Sequence, residues 1–324
     1  MLLLPGDGVP AGAPLEERLT GAGPAAIIRA LARALPPLAD RLAAGLLPGD
    51  PAALVGDNAT GDAQKALDVG AHHHMLAALR GQGVRLVLSE EAEEIAELDP
   101  NGRWDVAMDP IDGSGSIGIG APLGMMFSVL PAAPEGFARP GRAIVAAGYA
   151  SFGHSLDFGF SLGDGVTIAT FDRGAGLFRV MRDRVTLPSA AKVIAFNASN
   201  ERHWPRGLQE YVRDLLAGKD GPRGRDANMR WLAAAVGELH RILLQGGAFL
   251  YPADRRRGKE NGHLRLVYEA APIAFLIEQA GGAAHDGRRP ILDIPPDHPH
   301  QKTPLFFGAV EEMALLLRHL SQPD

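Results

Sequence analysis

The run Asp109-Pro110-Ile111-Asp112-Gly113-Ser114-Gly115-Ser116 sets two carboxylates immediately ahead of a small, glycine-rich turn. Carboxylate oxygens bind hard cations such as Mg²⁺. The backbone N–H groups of a Gly/Ser turn attract phosphate oxygens, above all where a helix starts. One short segment is thereby equipped to hold a metal and a phosphate side by side, as metal-assisted phosphate-ester hydrolysis requires. The competing structural reading is a plain loop, because Asp-Pro and Asp-Gly are ordinary turn dipeptides.

Further acids stand apart in the chain. Asp62 and Asp68 lie in Thr60-Gly61-Asp62-Ala63-Gln64-Lys65-Ala66-Leu67-Asp68, Glu90 and Glu91 follow Ser89, and Glu269 closes Leu264-Arg265-Leu266-Val267-Tyr268-Glu269. Each has a structural explanation of its own. Asp62 reads as a helix N-cap. Glu90 and Glu91 read as part of a solvated loop with Glu93, Glu94 and Glu97, and Glu269 as an acid at a helix start. Asp62 and Asp68 are six residues apart and do not share a helix face.

The elements that must position these acids are partly legible. Residues 1–24, rich in Gly, Pro and Ala, predict a loosely held segment. Ile28, Leu31, Leu35, Leu38, Leu42 and Leu46 recur at helical spacing from Ala25 to Leu47, with Pro36-Pro37 expected to break or kink the helix. A helix is expected from about Asp62 to Leu79. Val84–Leu88 reads as a strand running into Ser89-Glu90-Glu91, and Trp104–Met108 as a strand ending at the Asp109 motif. Two acidic clusters thus sit at strand ends, where open sheets tend to place ligands. Alternating apolar residues between Gly-rich turns predict an antiparallel meander from Ala143 to Leu187. Beyond it, a strand at Lys192–Phe196, helices over 207–217 and 229–244, a strand ending at Phe249–Pro252 and a helix over Ala270–Ala280 stopped by Gly281-Gly282 are expected. The change of pattern places a domain boundary near 188, giving an N-terminal domain over 1–187 and a C-terminal domain over 188–324.

Composition narrows the classes. The 324 residues are enough for roughly two domains. Apolar residues make up 46% and charged residues 22%, ordinary for a globular protein, and the net charge of −6 disfavours a nucleic-acid partner. Cysteine is absent, which excludes disulfides and thiolate metal sites. No stretch of about 18 apolar residues suggests a membrane span. Met1-Leu2-Leu3-Leu4-Pro5 lacks the basic start of a secretory signal, so cytoplasmic is the default compartment. His72-His73-His74 looks like a metal tract, but consecutive helical residues point to different sides and cannot easily chelate together. Arg255-Arg256-Arg257 reads as a solvated loop that adds positive field to a phosphate entrance.

Taken together, the motifs resemble those of class I fructose-1,6-bisphosphatases, within the lithium-sensitive, Mg²⁺-dependent sugar and inositol phosphatases. The resemblance covers roughly 56–310. It rests on Thr60-Gly61-Asp62, Gln64-Lys65, Leu67-Asp68-Val69, Ser89-Glu90-Glu91, Asp109-Pro110-Ile111-Asp112-Gly113-Ser114 and Gly246-Gly247-Ala248-Phe249-Leu250-Tyr251-Pro252. Its most specific part is the tail, Leu264–Glu269 followed by Pro272–Gly282. The resemblance implies an α/β fold with α+β character, a five-layered αβαβα sandwich of the sugar phosphatase type. It implies removal of the 1-phosphate of fructose 1,6-bisphosphate by metal-activated water, in gluconeogenesis or the Calvin cycle. By the same match, Glu90, Glu91, Asp109, Asp112, Glu269 and the Ile111 carbonyl correspond to ligands for two or three Mg²⁺ (or Mn²⁺) ions. Asp62, Asp68 and Glu91 correspond to the acids around the attacking water. Asp112, Gly113 and Ser114 correspond to the cradle of the reacting phosphate. Asn197, Tyr251, His263 and Arg265 correspond to contacts with the sugar and its phosphates. Arg230 matches an arginine donated by a neighbouring subunit, which implies a homotetramer. The physics agrees with the grouping. Carboxylates 4 Å apart repel by about 4 kcal/mol per pair at an effective dielectric near 20, and divalent cations relieve that.

The chain also departs from this pattern. Gly115 lacks a hydroxyl and Gly118 an acid that the family carries. His263 stands where the family has lysine, and its charge depends on pH. Trp231 and Asn200 stand at positions where the family has other groups that touch the second phosphate. These departures imply fewer contacts to that phosphate and leave sedoheptulose 1,7-bisphosphate as an alternative substrate. Residues 1–50 offer no match to the AMP-binding turn of some relatives, which implies weak AMP inhibition. Two rival functions follow: an inositol or sugar monophosphatase without a second phosphate subsite, and a sugar-phosphate-binding protein that has lost catalysis. Retention of all seven carboxylates argues against the second.

Overall fold

A computed structural model of the chain describes residues 12–57 and 63–321. Helices α1 (Pro24–Ala43) and α2 (Ala66–Leu79) lead into a run of strands: β1 (Val84–Ser89), β2 (Ala96–Glu97), β3 (Trp104–Asp112), β4 (Leu123–Pro131), β5 (Ala146–Phe152), β6 (Leu156–Ser161), β7 (Val166–Asp172) and β8 (Leu177–Val185). They form one eight-stranded sheet in the order β8-β7-β6-β5-β4-β3-β1-β2. It is antiparallel except where β1 and β3 lie parallel. The rest of the chain builds β9 (Val193–Phe196), α3 (Arg206–Ala217), β10 (Asn228–Met229), α4 (Ala235–Gln245), β11 (Ala248–Tyr251), α5 (Ala271–Gln279), β12 (Ala283–His285), β13 (Leu305–Gly308) and α6 (Val310–Leu320). Its five-stranded sheet runs β10-β9-β11-β13-β12.

The two-residue period of the strands sorts side chains into layers. On β4, Met125, Phe127 and Val129 pack with Ile28 and Leu31 of α1 and Met75 of α2. The alternate residues Met126 and Leu130 pack with Leu239 of α4 and Ile273 and Leu276 of α5. That inner core continues through α4 and α5 to Ala195, Phe249 and Phe307 on the near face of the second sheet. The far face presents Ile194, Phe196 and Leu250 to Leu208 and Tyr211 of α3 and Met313 of α6. The result is the expected five layers, helix–sheet–helix–sheet–helix. No helix among the described residues is long and apolar enough to cross a membrane.

Several local expectations are corrected. Helix α1 runs through Pro36 and Pro37 rather than breaking. The prolines remove two backbone donors, but the buried stripe of Ile28, Leu31, Leu35 and Leu38 holds both halves against the sheet. In addition, His74 Nε2 lies 2.8 Å from the Ala34 carbonyl oxygen. Helix α2 starts at Ala66, not near Asp62, because Ala63–Lys65 pairs with Leu54–Asp57 as a small hairpin. Strand β3 continues through the Asp109 motif to Asp112. The antiparallel run begins at Leu123, twenty residues before the expected start. The expected helix over 229–244 is confined to Ala235–Gln245, and Asn228–Met229 instead pairs with β9 as an edge strand. Finally, the described part of the N-terminal segment is held down. Leu15 and Leu19 are buried, and Arg18 pairs with Asp164 at 2.8 Å.

Candidate active site

The acidic motif owes its geometry to a bulge in β3. Asp109 faces Met126 and Asp112 faces Gly124, so three steps on β3 oppose two on β4. In a regular strand Asp109 and Asp112 would point to opposite faces. The extra residue returns both to the α4/α5 side and turns Ile111 to the other side, where it is buried with Val106 and Met108. Proline suits this position because it has no N–H to offer a ladder. Asp109 Oδ1 accepts the Ile111 N–H at 2.9 Å and fixes the turn. Gly113 follows at φ +83°, where a Cβ would stand 2.9 Å from that of Ala234.

Asp109, Asp112 and Glu269 each present an oxygen within 4.8 Å of the others, and all three are buried. Glu269 arrives from a π-helical turn, Leu266–Ala270, just before α5, and its Oε2 accepts the Arg265 N–H at 2.5 Å. Glu90 follows β1, its N–H donates to the Met108 carbonyl at 3.2 Å, and its carboxyl hydrogen-bonds Asp109. Part of its surface is open, but its carboxyl group lies among the other acids. Burial, then mutual repulsion, pushes Asp109 and Glu269 well above the carboxylate range. Burial likewise raises Glu90 to about 7, with Arg265 opposing. Asp112 rises only to about 6, again through burial, because N–H groups at the start of α4 stabilise its charge. Val236 N–H donates to its Oδ2 at 2.7 Å. Buried oxygen donors that resist ionisation together form a set suited to a hard cation.

A second acidic pair adjoins the first. Asp68 sits in the first turn of α2, with Oδ2 accepting the Lys65 N–H at 3.3 Å and Oδ1 buried without a hydrogen-bond partner among the described residues. Burial, then the charge of Glu91, raises it to about 7. Gln64 Nε2 donates to both the side chain and the carbonyl of Glu91 at 2.9 Å. Lys65 Nζ donates to the Ser114 carbonyl at 2.5 Å, tying this segment to the Gly113-Ser114 turn. Asp62 lies outside the described residues. The histidine tract diverges: His72 Nδ1 meets Ser89 Oγ at 2.9 Å, while His74 turns to α1.

Beyond the acids lies an aromatic wall. Tyr251, at the end of β11, stacks on His263 with centroids 4.3 Å apart, and Trp231 stacks on Phe249. Burial and Lys259 lower His263 to about 4, so it is neutral at pH 7. Arg265 is buried and is the cation facing Glu90 and Glu269. Asn197 Oδ1 accepts the Ser199 N–H at 3.2 Å and its hydroxyl at 2.6 Å, capping the following turn. Arg230 is exposed on the segment after β10, off any helix, and pairs with no acid among the described residues. Arg256, expected in a solvated loop, is instead paired with buried Asp254.

Two sequence profiles match the chain. "Fructose-1-6-bisphosphatase, N-terminal domain" covers residues 49–183 and "Fructose-1-6-bisphosphatase, C-terminal domain" covers 187–321. The chain belongs to the fructose-1,6-bisphosphatase family. It is 52% identical over 290 residues to a class 1 fructose-1,6-bisphosphatase of Brucella anthropi, covering 89% of this chain and 85% of that protein. A second class 1 fructose-1,6-bisphosphatase, of Brucella suis biovar 1, is 52% identical over 280 residues, covering 86% and 82%. Among solved structures, holo Leishmania major fructose-1,6-bisphosphatase superposes with a TM-score of 0.89 at 28% identity, over 97% of this chain and 100% of that one. The apo form gives 0.83 at 25% identity, over 96% and 100%. Some of the site's support was invisible in the sequence. The start of α4 at Ala234-Ala235-Val236 carries no capping residue, so nothing marked its N–H groups as partners of Asp112. Gln64 and Lys65, by contrast, were present as part of the motif.

Proposed function

We propose that this fructose-1,6-bisphosphatase family member is a phosphoric monoester hydrolase that releases the 1-phosphate of fructose 1,6-bisphosphate, using Mg²⁺ or Mn²⁺. The observation that carries this reading is the convergence of Asp109, Asp112 and Glu269, all buried, with oxygens within 4.8 Å of one another. Those acids, with Glu90, Glu91 and the Ile111 carbonyl, would hold two or three ions. Bound there, the metal supplies Lewis-acid stabilisation of the attacking and leaving oxygens. Asp68 is assigned to accept a proton from the attacking water and Glu91 to orient that water, and the rise of Asp68 to about 7 supports a base that works at neutral pH. Asp62 is assigned beside them by its place in the motif. The backbone of Gly113 and Ser114 cradles the reacting phosphate.

Asn197, Tyr251, His263 and Arg265 are assigned to the sugar and its second phosphate, with Arg230 reaching a neighbouring subunit's site in a homotetramer. The proposed setting is cytoplasmic carbohydrate metabolism, in gluconeogenesis or the Calvin cycle, with a domain division at 187/188. Phosphate release from fructose 1,6-bisphosphate, sedoheptulose 1,7-bisphosphate and inositol phosphate, with Mg²⁺ and then with added Li⁺, tests the reading. Fastest release from the six-carbon bisphosphate, inhibited by Li⁺, is expected. No metal-dependent release from either bisphosphate would refute it. Mixing inactive Asp109→Asn protomers with Arg230→Ala protomers should restore activity if Arg230 crosses an interface. Absence of restoration would place Arg230 in its own subunit's surface.

A further inference from the structure

The arginine-rich loop between Tyr251 and His263 has a built interior. Asp254 is buried at its centre and accepts the Arg256 N–H at 2.9 Å, Arg256 Nε at 2.9 Å and Arg256 Nη2 at 2.5 Å. The guanidinium is therefore fixed in orientation, yet the side chain keeps 38% of its surface open. Its Nη1 has no partner among the described residues. The same Asp254 Oδ2 that accepts Arg256 Nη2 lies 3.6 Å from His263 Nε2, and the His263 ring stacks on Tyr251 at 4.3 Å. Tyr251, the neutral His263, Asp254 and Arg256 thus form one continuous chain of contacts.

We infer that Arg256, rather than His263, is the cation that this chain itself presents to the phosphate remote from the acidic cluster. This deepens the bisphosphate reading given above and rests on it. Tyr251 marks the middle of the span. It is within electrostatic reach of Glu269 and Asp112, and it adjoins Asp254 and Arg256 through the stacked His263 ring. A substrate with its reacting phosphate at the acids and its sugar along Tyr251 carries its second phosphate toward Arg256. His263 cannot supply the charge, because burial and the nearby cations Lys259 and Arg256 hold it neutral. Arg255, Arg256, Arg257 and Lys259 against Asp254 and Glu260 leave the loop net positive. The planar fork of arginine, held on one edge by a carboxylate, offers its other edge to a phosphate in a fixed direction. Arg255, by contrast, donates to the Arg202 carbonyl, away from this stack.

The test compares phosphate release from fructose 1,6-bisphosphate and from fructose 1-phosphate, which has no second phosphate. Arg256→Gln should raise KM for the bisphosphate about 10- to 100-fold, as expected for losing a charged hydrogen bond to phosphate. The same variant should leave kcat/KM for the monophosphate within about twofold of wild type, which also reports a folded protein. Arg256→Lys should recover part of the loss, and adding His263→Lys to Arg256→Gln should recover part by returning charge to the stack. Equal losses on both substrates, or no loss on the bisphosphate, would overturn the assignment of Arg256 alone. A wild-type enzyme that releases no phosphate from the bisphosphate would overturn the functional reading instead.

Discussion

Asp109, Asp112, Glu90 and Glu269 crowd negative charge where water cannot screen it, and the consequence is a stability cost that rises with pH. Glu90 and Asp68 titrate near 7 in the folded chain, against ordinary values of 4.5 and 3.8. Below the ordinary values both states are protonated and no cost arises. As pH rises toward 7 the unfolded chain ionises first, so the metal-free protein loses stability. Its melting temperature should fall between pH 5 and pH 8, and Mg²⁺ should raise it by several degrees more at pH 8 than at pH 5.5. Calorimetry with and without EDTA checks this, and an equal Mg²⁺ effect at both pH values would contradict it. Asp109→Asn removes one of the repelling charges. It should lower phosphate release at least about 100-fold while leaving the metal-free melting temperature at pH 8 equal to or above that of wild type.

At the scale of elements, the site depends on how α4 meets β4. Gly124 allows that approach, since a Cβ there would fall 2.3 Å from the Ala150 carbonyl oxygen and 2.4 Å from Val236 Cγ1. Gly124→Ala should therefore push the start of α4 off Asp112. A cost of about 1–3 kcal/mol in stability, with a matching fall in kcat, is expected from denaturation and phosphate-release assays. A helix with a long apolar stripe, such as α1, or with a clear stop, such as α5 before Gly281-Gly282, was legible in the sequence. The early start of the meander, the edge strand Asn228–Met229 and the start of α2 were not. In each case pairing with another strand decided the conformation, and a segment's own spacing carries no record of its partner. Pro36-Pro37 misled for the opposite reason: a strong local rule was overridden by packing against the sheet.

For the whole molecule, the inner core joins both sheets through α4 and α5, so the two halves of the chain share one hydrophobic interior. Leu276, fully buried there, should cost about 2–5 kcal/mol on truncation to alanine. The loss should appear as a single shifted calorimetric transition, and two separating transitions would show that the sheets unfold independently. The five layers were legible through the motifs rather than through periodicity. Spacing alone could not reveal that acids from positions 90 to 269 meet in one cluster. Nor could it reveal the neutral state of His263, which depends on burial and on cations brought close by the fold.

The bulge at Pro110 makes the chemistry a matter of parity. Side chains along β3 alternate like odd and even numbers, and one supernumerary residue lets an odd-numbered and an even-numbered aspartate land in the same layer. Were β3 to run through this stretch as a regular strand of the same length, the second aspartate would fall among Met108 and Phe127, where an anion finds only hydrocarbon. The spacing of the two aspartates and the bulge between them are thus constrained together, and one further inserted residue there should be far more damaging than a substitution.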